Sequence, residues 1–434
     1  MKKTVIALLA CTLLAGFANS SMAADEERSH ILKIYNWADY IDEDLLGEFE
    51  DWYKEQTGEE IKVLYQLFDI NEVMLTKIET GHEDYDVVCP SEYIIERMLR
   101  NDLLHPISHN FGNTPDYTIN VAPFFRNLTD EFSAADRHGH DYVVPYMWGT
   151  TGLLYNPQYV TDEEASTWGT VWNPKYAGKI LMKDAFRDVY GSLMMYIRKD
   201  EIAAGTATRQ QVMNDLSDDN LKIFEDTLAA AMDNISGWEV DFGKERMSQG
   251  KDWINVTWSG DAMWAIEECS DEVELRYRVP MEGSNIWFDG WVIPKYARNP
   301  KAASYFINFM CISENAMRNM DAIGYVSAIG TPEILEVKTD EKYAPVDLSY
   351  FFGPEADSVC VNDIQYPDIK TIGRCALMHD SGDRAEAMID MWSRVKGDSL
   401  SASTLIIIGI VVIAILVGVF FSRKKKRSRR PTRR

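Results

Sequence analysis

Cysteine is scarce in this chain, six in 434 residues, and no two stand in a CxxC pair or at a zinc-like spacing. A disulfide scaffold and a structural zinc site are therefore excluded as organising principles. There are only seven histidines, and the one cluster, His138-Gly139-His140-Asp141, has no third ligand at a useful spacing. It reads as a hydrated hairpin turn, and no metal or other cofactor is expected. GxSxG, HExxH, GxxxxGK[ST] and GxGxxG are absent, which removes the usual sequence support for hydrolase, zinc-protease, NTPase and dinucleotide-binding readings. Net positive charge is missing from the body of the chain, where acids outnumber Lys and Arg about two to one. The formal net charge is −24, and setting aside Lys2, Lys3 and the nine Lys or Arg of residues 423–434 leaves −35. Such a body repels nucleic acid and anionic lipid and attracts small cations.

What is present is a large apolar content, 46% hydrophobic and 12% aromatic, enough for two lobes with substantial cores. Two charge-free runs stand apart. Residues 1–23 combine Lys2-Lys3, an apolar stretch from Val5 to about Ala18, and small residues at Ser21 and Ala23, the pattern of a secretory signal peptide cut after Ala23. Leu8-Leu9-Ala10-Cys11 loosely resembles a lipoprotein cleavage box, but its apolar region would be only six residues long. Thr404 to Phe421 is 18 uncharged residues followed by Arg423-Lys424-Lys425-Lys426-Arg427, which predicts a single transmembrane helix over 404–421 and a basic cytoplasmic tail over 422–434. The body would then sit outside the cytoplasmic membrane as an anchored monomer. Cys360 and Cys375 would pair there or remain buried free thiols.

Within the body, Ile31–Tyr35, Ile61–Tyr65 and Tyr85–Cys89 read as strands alternating with two helices, and a second such alternation begins near Ile180. βαβαβ order implies a parallel sheet, and ligands in such sheets bind beyond the carboxyl ends of the strands. Trp37 and Asp39 follow the first strand; Ser91 and Tyr93 follow the third. Tyr142–Asn156, a long apolar run, carries the chain between lobes. In Ser284–Pro294 the period-two alternation puts Trp287 and Asp289 on one face and Phe288 on the other. An indole beside a carboxylate suits an organic ammonium. Trp37-Ala38-Asp39 repeats the spacing, and Trp258-Ser259-Gly260-Asp261 offers the same residue types across a turn. Asp184 and Asp188, four apart around an Arg, are either further anionic partners or the cap and first-turn acid of a helix.

Five segments of this chain resemble the periplasmic spermidine/putrescine-binding proteins of polyamine ABC transporters: YNWADYI at 35–41, DVVCPSEY at 86–93, VPYMWGTTGLLYN at 144–156, TWSGD at 257–261 and IWFDGWVIP at 286–294. The similarity runs from about Ile31 to Lys396. It implies an α/β, two-lobed periplasmic-binding-protein fold with two crossovers, with lobe 1 from 30–149 and 288–333 and lobe 2 from 150–287 and 334–398. It also implies a polyamine in the cleft and delivery to permease subunits in the membrane. Carried over residue by residue, it points to Trp37, Asp39, Tyr40, Ser91, Tyr93, Asp184, Asp188, Trp258, Asp261, Trp287, Asp289 and Tyr325 as ligand-binding positions. Asp261 resembles the putrescine-specific branch and Trp287 the spermidine branch. Ala38 stands where a hydroxyl residue is usual, and near Met378-His379 no residue matches a polar position that some relatives use.

Two other classes compete. A glycoside hydrolase or carbohydrate binder also uses paired carboxylates and Trp platforms, but a neutral sugar leaves a crowd of acids unpaired. A sensory receptor would need a cytoplasmic partner, because a 13-residue tail holds no domain.

Overall fold

The computed structural model describes residues 28–132 and 137–397. Strand β1 (Ile31–Trp37), helix α1 (Asp44–Thr57), β2 (Lys62–Phe68), α2 (Asn71–Glu79), β3 (Val87–Val88) and α3 (Glu92–Arg100) form the expected alternation, with β2 and β3 pairing in parallel on either side of β1. In α1, Leu45, Phe49 and Tyr53 are buried at four-residue spacing, which turns one stripe toward the sheet. Gly58, in the left-handed region at φ 75°, ends the helix and donates back to the Lys54 carbonyl.

A second parallel set follows: β5 (Ile180–Lys183), β6 (Ile235–Glu239) and β7 (Ile254–Trp258), with α4 (Phe186–Ile197) after β5 and α5 (Ser259–Glu267) after β7. Two long, fully buried strands join the sets, β4 (Val143–Tyr155) and β8 (Ser284–Pro294). They pair antiparallel, with a register shift between Asp289 and Gly290. The order across the sheet is β2-β1-β3-β8-β4-β7-β5-β6. β4 borders β8 over 143–150 and β7 over 151–155, so it serves both halves.

The halves have separate cores. One gathers Leu32, Phe49, Val87, Trp148, Phe288, Trp291 and Phe306; the other gathers Leu153, Tyr155, Met182, Tyr190, Phe224, Ile254 and Trp287. Neighbours on β8 therefore diverge as the alternation requires, Phe288 into the first core and Trp287 toward the second. Each such aromatic contributes about 1.5–3 kcal/mol on burial. Of residues 334–398, Ile334, Leu348, Phe351, Tyr366 and Ile372 pack into the first core, while Met388, Met391 and Trp392 of the closing helix α6 (Ala385–Lys396) pack into the second.

The two-lobed architecture stands, but the expected architecture needs one correction. No helix among the described residues is long and apolar enough to cross a membrane. The longest, α1, has 14 residues and spans about 21 Å at 1.5 Å per residue, against a hydrocarbon layer of about 30 Å. The segment 404–421 assigned to a transmembrane helix lies outside the described residues, as do the basic tail and the signal peptide, and the described residues form the two lobes. The five described cysteines, Cys360 and Cys375 among them, are free thiols.

Candidate binding site

Four side chains at the carboxyl ends of parallel strands define the floor of the cleft. Trp37 ends β1, Lys183 ends β5, Glu239 ends β6 and Trp258 ends β7. Asp289, on the shared strand β8, lies between them. It is 7% exposed, and both its carboxylate oxygens accept from hydroxyls of the first lobe: Tyr40 to Oδ2 at 2.8 Å and Ser91 to Oδ1 at 2.7 Å. Burial pushes its pKa up to about 7, with the Asp188 charge adding to the rise and the two hydroxyls resisting it. Asn71 holds that arrangement from behind, donating to the Ser91 hydroxyl at 2.9 Å and the Tyr93 hydroxyl at 3.1 Å.

Across the cleft, Asp188 sits in the first turn of α4, where the helix N-terminus favours an anion. Its Oδ1 accepts from Trp258 Nε1 at 3.0 Å and Asn285 Nδ2 at 2.9 Å. Burial nevertheless lifts its pKa above the ordinary aspartate value. Aromatic rings connect the two carboxylates: Tyr40 lies 5.5 Å from Tyr325, Tyr325 5.5 Å from Trp287, and Trp287 6.3 Å from Trp258, all edge to face.

Ten of the twelve residues expected from the sequence fall in or beside this cluster. Asp184 does not. Helix α4 begins only at Phe186, so positions 184 and 188 do not share a helical face; Asp184 accepts from Trp392 Nε1 at 2.8 Å and Lys396 Nζ at 2.9 Å on the closing helix. Asp39 is the other exception. It is exposed, with its backbone in the left-handed region at φ 50°, on the turn just beyond Trp37.

Asp261 is in the cluster but already paired. Lys183 Nζ lies 2.5 Å from its Oδ2 and 4.0 Å from the Trp258 ring centroid. That ammonium also meets Glu239 Oε1 at 3.3 Å and the Val240 carbonyl, while Tyr325 donates to Asp261 Oδ1 at 2.8 Å. Burial works against the charge on Lys183, but Asp261 and Glu239 outweigh it and hold the ammonium above the usual lysine range.

Lys183 and Glu239 escaped the sequence reading, as did Glu92, Asn285 and the contacts of Arg187. Glu92 adjoins Ser91 and is fully buried, its carboxyl pushed well up first by burial and then by Asp289. Arg187, also buried, lies over the Tyr93 ring at 5.7 Å, bringing the lobes together. Among the described residues Glu92 Oε1, Trp287 Nε1, Asn285 Oδ1 and Arg187 Nη1 find no hydrogen-bond partner. A polar ligand would supply what these groups lack. No group of three or more metal-ligating side chains is found among the described residues.

A family model described as bacterial extracellular solute-binding protein matches residues 49–345. The chain belongs to that family. This solute-binding protein is 27% identical over 401 residues to the spermidine/putrescine-binding periplasmic protein of Escherichia coli, covering 91% of this chain and 99% of that one. Among solved structures it resembles a putative spermidine/putrescine ABC transporter protein from Listeria monocytogenes, at 31% identity and a TM-score of 0.65, with 85% of this chain and 99% of that one covered. The spermidine/putrescine ABC transporter substrate-binding protein PotD from Streptococcus pneumoniae matches at 33% identity and a TM-score of 0.62, with the same coverage.

Proposed function

We propose that this solute-binding protein captures aliphatic polyamines outside the cytoplasm and delivers them to an ABC permease. The observation that carries the reading is the pair of buried carboxylates, Asp289 fixed by first-lobe hydroxyls and Asp188 fixed on the second lobe, with Trp287, Trp258 and Tyr325 between them. A diammonium chain meets both demands of such a place. Each charged end finds a carboxylate, without which a buried ion costs several kcal/mol, and the methylenes lie against rings. An ammonium over an indole face adds roughly 0.5–2 kcal/mol. A neutral sugar would leave both acids uncompensated, and the family is one of binding proteins rather than enzymes. The names of the spermidine/putrescine-binding relatives support the same ligand class.

In this reading Trp37, Tyr40, Ser91, Tyr93, Asp188, Trp258, Trp287, Asp289 and Tyr325 surround the ligand, Asp39 stands at its entrance, and Asp184 fastens the closing helix. Calorimetric titration with putrescine, spermidine and a panel of oligosaccharides tests it. Saturable binding of an amine and none of any sugar is the expected outcome; silence toward every amine ends the proposal.

A further inference from the structure

Of the carboxylates at the cleft floor, Asp261 and Glu239 do not wait for a cation. Lys183, 0% exposed, brings one from within the chain, at 2.5 Å from Asp261 and 4.0 Å over the Trp258 ring. Carboxylate, indole face and the Tyr325 hydroxyl on the other oxygen are together what an amine subsite offers, and here they are filled by a side chain. The lysine is held from two further directions by Glu239 and the Val240 carbonyl, so its removal would strand several acceptors. Asp188 and Asp289, which meet only neutral donors, remain for ligand charge.

Resting on the polyamine reading, we infer that Lys183 is a specificity-determining residue: it is a resident ammonium that blocks a third amine subsite and sets the cleft for diamines over triamines. A triamine entering the wild-type cleft would bring an ammonium toward a place where an ammonium already sits, paired with both carboxylates. The ligand gains nothing there, since an ion pair that exists before binding adds nothing to affinity.

The test compares putrescine and spermidine on the wild type and on Lys183→Met, which keeps most of the unbranched apolar stem and removes the charge. The wild type is expected to favour putrescine. The variant, with Asp261 released, is expected to shift the spermidine-to-putrescine affinity ratio by tenfold or more toward spermidine, and the shift should vanish in Lys183→Met/Asp261→Asn. A second measurement needs only the wild type: proton–nitrogen NMR of the buried lysine ammonium, assigned by its loss in Lys183→Arg. Its resonance is expected to persist, little moved, when putrescine saturates the cleft. If the resonance is lost on adding putrescine, or if Lys183→Met binds both amines with the wild-type ratio, the inference falls while the polyamine reading stands. If the wild type binds neither amine, both fall together.

Discussion

Asp289 carries the most at the scale of single residues, because its protonation decides whether the first-lobe side of the cleft presents an anion. With a pKa near 7, its carboxyl is neutral below that pH and must release a proton to pair with an ammonium. Affinity should therefore fall as pH drops below 7, by up to about tenfold per unit for one linked proton. Asp289→Asn should weaken putrescine binding more than tenfold at pH 8 and flatten the pH dependence, both readable by calorimetry. The sign for folding is opposite. An acid raised in the folded state, against about 3.9 in the unfolded chain, makes the ligand-free protein less stable as pH rises from 4 to 7, which denaturant melts across that window would register. Trp37, Ser91 and Asp289 were legible in the sequence because strand ends and alternation place them. Lys183 was not, since a lysine closing an apolar strand looks like a solvent-facing end and only the fold reveals Asp261 and Glu239 around it. Asp184 misled for a different reason: a spacing of four means a common face only inside a helix, and α4 starts two residues later.

Among the elements, β4 and β8 decide where the rings stand. A Cβ added to Gly149 on β4 would come within 2.7 Å of Trp287 Cζ2 and 2.6 Å of Ser259 Oγ, so Gly149→Ala must displace the indole. The expected result is a loss of about 1–3 kcal/mol in denaturant unfolding together with weaker amine binding. Gly237→Ala on β6 is the control: its Cβ would meet only Leu181 Cδ2, at 3.7 Å, and both readouts should hold close to wild type. Long apolar runs made β4 and β8 visible beforehand. The two-residue strands Leu104–His105 and Val326–Ser327, which border them, were not, because a pair of residues has no period to recognise.

For the molecule as a whole, the cleft floor without its ligand holds Asp188 and Asp289 buried and facing only neutral donors, a cost that ligand removes. Putrescine at a hundred times its dissociation constant should stabilise the fold by about 2.7 kcal/mol, an effect seen as a rise in melting temperature and falling to about 1.4 kcal/mol or less in Asp289→Asn at the same concentration. The two lobes were readable from βα alternation on either side of a long strand. The routing of 334–372 into the first core was not, since its contacts, such as Phe351 stacked 5.5 Å from Trp148, join positions about two hundred residues apart. The register of β8 slips between Asp289 and Gly290, at the carboxylate proposed to hold the ligand. The irregular step and the proposed anchor therefore share one position in a strand common to both halves, and a substitution that restores regular pairing there would also move the carboxylate.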